Sequence, residues 1–115
     1  MELKEIHSND ELEQAFEQSL EKPVLFFKHS TTCPISAGAF SAFNSFIGET
    51  DKNIACYLVK VIEDRSLSNQ IASITDVRHE SPQLFVIQNK EVKWHTSHSK
   101  ITVDSIGEAL ENVEG

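Results

Sequence analysis

Apolar positions along this chain fall into two rhythms. Val24-Leu25-Phe26-Phe27, between Pro23 and Lys28, is an almost unbroken apolar run. That is the pattern of a strand covered on both faces. Ile54 to Ile62 reads the same way and is ended by Glu63-Asp64. Elsewhere apolar residues return at helical spacing. Leu12, Ala15, Phe16 and Leu20 follow the capping-box pattern Ser8-Asn9-Asp10-Glu11 and predict a helix over about 9–20, ended by Glu21-Lys22-Pro23. Ile35, Ala39, Phe43 and Phe46-Ile47 form an apolar stripe that predicts a second helix, which Gly48 closes. Leu67, Ile71 and Ile74 predict a short third helix, capped by Ser66 or Ser68. Val103, Ile106, Ala109, Leu110 and Val113 predict a last one, capped by Thr102. Leu3-Lys4-Glu5-Ile6 alternates and suits a short edge strand. Leu84-Phe85-Val86-Ile87 and Val92-Lys93-Trp94-His95 flank the turn Gln88-Asn89-Lys90-Glu91 and predict an antiparallel hairpin, followed by a polar loop from Thr96 to Lys100.

The order is therefore β-α-β-α-β-α-β-β-α. Strand–helix–strand alternation in the first half implies parallel pairing with a right-handed crossover. The hairpin adds antiparallel strands, so the expected class is α/β, a central mixed sheet flanked by helices. The chain has 115 residues and no repeat, linker or low-complexity tract, so a single domain over 1–115 is expected.

Charge narrows the partners. Ten Lys and Arg against eighteen Asp and Glu give −8, which disfavours nucleic acid or an anionic membrane. No apolar run approaches the ~20 residues of a membrane span. Met1-Glu2-Leu3-Lys4-Glu5 has no apolar signal region, so a cytoplasmic setting is expected. The two cysteines, Cys33 and Cys56, have neither a secreted disulfide framework nor metal-ligand spacing around them.

The candidate chemistry lies in Thr31-Thr32-Cys33-Pro34-Ile35-Ser36, at the junction of the apolar strand and the second helix. Backbone N–H groups of a first helical turn lack intrahelical partners, and with the helix dipole they favour a thiolate there. Proline suits the first helical position because its missing N–H goes unused. Thr32 is expected to cap the helix. Lys28 and His29 lie close in sequence and suggest an electropositive setting, in contrast to a buried structural cysteine. His29 is retained as a candidate for holding the thiolate ionised. His79, His95 and His98 read as loop and hairpin-end residues, and Trp94 as packing. The motif is C-P-I-S, so Ser36 stands where a dithiol protein has its second cysteine. A hydroxyl can donate to the Cys33 thiolate but cannot close a disulfide, so a second thiol must come from outside.

The element order, the cysteine and the Ser81-Pro82 step before the hairpin together resemble thioredoxin. That resemblance implies a cis Pro82 facing Cys33, with Ser81 offering backbone groups to an extended peptide or small thiol. Read alone, Pro82 is an ordinary turn proline starting a strand. The stretch Lys28-His29-Ser30-Thr31-Thr32-Cys33-Pro34-Ile35-Ser36, with Glu80-Ser81-Pro82-Gln83 and Trp94-His95-Thr96-Ser97-His98, is similar over essentially the whole chain to the monothiol bacilliredoxins. The family resemblance implies a thiol-disulfide oxidoreductase with Cys33 as nucleophile. It implies S-bacillithiolated client proteins as partners, bacillithiol as co-substrate and no bound cofactor. Ser99-Lys100 departs from the aromatic expected after the Ser-His pair.

Two other classes fit a C-x-x-S motif. An iron–sulfur carrier would have glycine after the cysteine and a Gly-Gly pair beyond the hairpin. This chain has Pro34 and no Gly-Gly. A redox-silent binding module would leave Cys33 unreactive to iodoacetamide. Cys56 is not expected to resolve Cys33. If strands 23–29 and 54–62 run parallel, the two cysteines sit at opposite ends of the sheet, on the order of 15 Å apart. A disulfide needs Cα atoms within about 7 Å.

Overall fold

The computed structural model describes residues 3–114. Five strands form one sheet in the order β1-β3-β2-β4-β5. They are β1 (Leu3–Glu5), β2 (Val24–His29), β3 (Ala55–Lys60), β4 (Gln83–Gln88) and β5 (Glu91–Ser97). The helices are α1 (Asn9–Gln18), α2 (Pro34–Glu49), α3 (Arg65–Thr75) and α4 (Val103–Glu114). β3 runs parallel to both β1 and β2, while β4 is antiparallel to β2 and to β5. The expected parallel half, hairpin and edge strand are all present.

β2 is buried at all six positions because both faces of the sheet are covered. Leu25 and Phe27 point toward Phe43, Leu84, Val86, Ile106 and Leu110, under α2 and α4. Val24 and Phe26 point the other way, toward Leu12, Ala15, Leu67, Ile71 and Phe85, under α1 and α3. This alternation has period two. It continues to the end of the strand, where Lys28 follows the second face and His29 the first.

Several boundaries differ from the sequence reading, each for a local reason. α1 stops at Gln18, since the Ser19 hydroxyl donates back to the Phe16 carbonyl and Leu20 is left exposed. Ser8 does cap α1, accepting from Glu11 N at 3.2 Å. α2 runs through Gly48 to Glu49, and among the described residues no glycine is in the left-handed region. α3 has Asp64 at its N-cap, not Ser66 or Ser68. The Asp64 carboxylate does not cap; it lies 2.9 Å from His7 Nδ1 and ties the start of α3 to the end of β1. β3 ends at Lys60, leaving Ile62 exposed. Ile35 and Ile74, placed in helical stripes, are also exposed.

The hairpin turn is tighter than the four residues expected. Only Asn89 and Lys90 lie between β4 and β5, at φ 55° and 63°. Positive φ at both central residues is the type I′ geometry that matches strand twist. Asn89 N donates to the Ser19 carbonyl at 2.8 Å and Lys90 N to Ser19 Oγ at 3.0 Å, which seats the turn on the end of α1. Thr96 and Ser97 belong to β5 rather than to a loop, and His98–Lys100 form a 3-10 turn. Thr102 caps α4 as expected: Ser105 N donates to Thr102 Oγ1 at 3.0 Å.

Candidate functional site

Cys33 is the N-cap residue of α2, with extended backbone (φ −105°, ψ 122°) and Pro34 in the first helical turn. Its carbonyl accepts from Ala37 N at 3.1 Å and its own N–H donates to the Ser30 carbonyl at 3.3 Å. The sulfur makes no capping hydrogen bond and is partly exposed. Thr32, expected as the cap, is instead an exposed residue before it, 3.4 Å from Ser30 Oγ. The turn between β2 and α2 puts the cap one residue later, so the thiol itself occupies the helix end. Pro34 has no N–H, so Ile35 and Ser36 carry the donors that the first turn leaves without intrahelical partners.

Ser36 departs most from the sequence reading. It is fully buried. Its hydroxyl accepts from Ser30 N at 3.0 Å and lies 2.8 Å from His29 Nδ1, rather than being spent on the Cys33 sulfur. Ser36 thus pins the first turn of α2 onto the end of β2. The position that holds a second thiol in a dithiol protein is a structural hydrogen-bond node here.

His29 is drawn into the site by packing. Its ring stacks on Phe40 with centroids 4.6 Å apart and lies 5.9 Å from Phe27. Burial pushes its pKa below the ordinary histidine value, and the Lys60 charge lowers it further, against an opposing pull from Glu63. A neutral imidazole at pH 7 is no counter-ion for a thiolate. The expected role is therefore replaced by a hydrogen bond that orients Ser36. Lys28 does not support an electropositive site either. One residue before His29, it points to the opposite face of the sheet, where its amine contacts His79 and the Phe85 ring.

The Ser81-Pro82 peptide is cis. Lys28 pairs with Gln83 across the β2–β4 ladder, which places Pro82 beside His29 at the edge from which the Cys33 turn departs. The Pro82 carbonyl accepts from His98 N at 3.0 Å, joining the loop to the end of β5. Ser81 Oγ is buried without a hydrogen-bond partner among the described residues. The fold therefore collects Thr32, Cys33, Pro34, Ser36, His29, Ser81 and Pro82 at one end of the sheet.

Cys56 is elsewhere. It pairs with Leu25 near the start of β2, four residues before His29, so roughly 13 Å of strand separate it from the edge that bears Cys33. Neither cysteine is in a disulfide. Burial pushes the Cys56 thiol up to about 12.

The residues missed by sequence reasoning are His79, read as an ordinary loop residue, and the Ser30 N–H. The period-two alternation of β2 was the available signal, since it sends Lys28 away from the cysteine and toward whatever covers the other face.

A mixed five-stranded sheet with a cysteine at the cap of its second helix and a cis-proline facing the same edge defines a thioredoxin fold. Comparison with solved structures agrees. A candidate oxidoreductase with a thioredoxin fold is 42% identical, covering 93% of this chain and 92% of its own, with a TM-score of 0.85. Thioredoxin from Malassezia sympodialis (16% identity, 99% and 92% covered, TM-score 0.78) and spinach chloroplast thioredoxin f (13%, 99% and 88%, 0.78) share the fold. The family profile described as Monothiol bacilliredoxin BrxC matches residues 4–106, and the chain belongs to that family.

Proposed function

We propose that this protein is a thiol-disulfide oxidoreductase that removes bacillithiol from S-bacillithiolated protein cysteines through Cys33 alone. Family membership and the fold support a redox role. The observation that carries the monothiol reading is the fate of the two positions that could have supplied a second thiol. Ser36 is a buried serine bonded to His29 and Ser30, and Cys56 lies at the far end of β3.

The reaction is two thiol-disulfide exchanges. The Cys33 thiolate attacks the bacillithiol sulfur of a client mixed disulfide. The client sulfur leaves as a thiolate and takes a proton, and Cys33 carries the bacillithiol. A second bacillithiol thiolate then attacks that sulfur, releasing the oxidised bacillithiol dimer and regenerating the Cys33 thiolate. The net change reduces one client disulfide and oxidises bacillithiol. In both steps the sulfur stands at the N-terminal end of α2, where Ile35 and Ser36 carry the backbone donors without intrahelical partners. Clients reach it at an exposed edge bordered by Ile35. Among the described residues no helix is long and apolar enough to cross a membrane. A reducing cytosol is the setting in which this cycle would turn over.

The test is single-turnover mass spectrometry with a bacillithiolated peptide. The expected intermediate is bacillithiol on Cys33, discharged by free bacillithiol. A peptide released without any Cys33 adduct, or an adduct on Cys56, overturns the reading.

A further inference from the structure

Lys28 is wholly buried. Lysine is almost never found so without an ionic partner. Among the described residues its ammonium meets no carboxylate. It lies 3.2 Å from His79 Nδ1 and 5.8 Å from the centre of the Phe85 ring. Burying an ammonium costs several kcal/mol. What offsets that cost is what the amine touches.

What it holds is the loop that carries Ser81 and Pro82. His79 is exposed and covers the amine from above, with Ser68 Oγ 3.4 Å from the same ring nitrogen. Burial lowers the Lys28 pKa to about 8, so at pH 7 the amine still donates. His79 is pushed below the ordinary value by burial and by Lys28, with Arg65 acting the same way and Glu80 opposing, so its imidazole accepts. Gln83, the cross-strand neighbour of Lys28, grips the same loop. Its Nε2 donates to the Arg78 carbonyl at 3.0 Å and its Oε1 accepts from Glu80 N at 3.3 Å. Two adjacent strand residues thus hold three consecutive loop residues, Arg78, His79 and Glu80, immediately before Ser81-Pro82.

We propose that Lys28 and His79 are positioning residues for the exchange at Cys33: the ammonium–imidazole bond locks the loop onto the end of β2 and sets where Ser81-Pro82 stand relative to the sulfur. The assignment rests on the reading of Cys33 as the exchanging thiol. It places a functional pair on the face of the sheet opposite His29 and Ser36, so the two sides of β2 act on the site by separate routes.

The test uses Lys28→Met, which keeps the aliphatic stem, His79→Leu, which removes the acceptor, and His79→Gln, which supplies an amide acceptor. One readout is independent of turnover. In K28M the NMR titration of the His79 ring is expected to move up toward 6.5, the ordinary value. Backbone amide exchange at 78–81 is expected to speed about tenfold in K28M and H79L but not in H79Q. The other readout is kinetic. KM for a bacillithiolated peptide is expected to rise about tenfold in K28M and H79L, the scale of a slightly misplaced binding group. Alkylation of Cys33 by iodoacetamide is expected to stay at the wild-type rate, and H79Q to restore KM. The thermal midpoint of K28M is expected at or above wild type, which a merely structural lysine would not give. If K28M does not fold, H79L, a change at an exposed position, carries the same measurements. Wild-type amide exchange in H79L overturns the latch, and a loosened loop with unchanged KM overturns the positioning role. A wild-type protein that releases no bacillithiol fails the reading of Cys33 instead. That failure is told apart by a loop that still loosens in H79L.

Discussion

Cys33 and Cys56 follow the ends of neighbouring parallel strands, one past the C-terminal end of β2 and one near the N-terminal end of β3. In a parallel pair those ends face opposite edges of the sheet. Cys33 inherits the edge where strands hand over to helix N-termini, with unpaired N–H groups, a proline loop and solvent access. Cys56 inherits the covered end, beside Leu25, where burial holds its thiol protonated to about 12. The same residue type is a candidate nucleophile in one place and inert filling in the other. The difference comes from where each stands along its strand, Cys33 at the junction with α2 and Cys56 at the buried start of β3.

The largest effect expected from breaking this contrast is in Cys33→Ser. Release of bacillithiol from a labelled peptide should fall to the uncatalysed rate, since a hydroxyl is not ionised near neutral pH. Substantial residual release would assign the nucleophile elsewhere. Ser36→Cys sharpens the contrast by placing a second thiol at the reactive edge. The first exchange should persist and a disulfide should form between Cys33 and the introduced thiol, as residues one helical turn apart are within bridging distance. The variant should also lose about 1–3 kcal/mol in urea unfolding, because the buried Ser30 N–H and His29 Nδ1 lose their hydroxyl partner.

A smaller change is expected in His29→Phe. The phenyl ring keeps the stack on Phe40 and loses the bond to Ser36, at a cost of about 1 kcal/mol. Its signature is in the pH dependence. Because the folded-state pKa of His29 lies below 6.5, the unfolded chain binds a proton that the folded chain refuses as pH falls through that value. The His29 contribution to stability is therefore fully present above pH 6.5 and lost below it. The slope of unfolding free energy between pH 5 and 7 should flatten in H29F relative to wild type. An unchanged slope would mean that the imidazole is not held neutral. The smallest effect is expected at the other cysteine. Cys56→Ala should leave exchange within about twofold and cost on the order of 1 kcal/mol for the cavity. Peptide mapping after peroxide should show no dominant Cys33–Cys56 bridge from folded protein.

Much of the molecule was legible in the sequence because it is written locally. The run Val24–Phe27 predicts a doubly covered strand, the stripe through Ala39, Phe43 and Phe46 a helix, and their junction places Cys33 at a helix end; none of this needs a distant contact. The cap at Thr102 and the hairpin around Asn89 are equally local. Strand alternation with one helix between forces the parallel pairing that separates Cys33 from Cys56. Tertiary structure decided what depends on partners far along the chain. The hydroxyl of Ser36 has several acceptors and donors within conceivable reach, and only the docking of α2 onto β2 gives it to His29 and Ser30. Lys28 and His29 look equivalent beside the cysteine. The pleat sends them to opposite faces, and what each meets there, His79 from a loop 51 residues away or Phe40 from the next helix, is set by packing. Periodicity fixes which way a side chain points; only the folded neighbours determine what it touches.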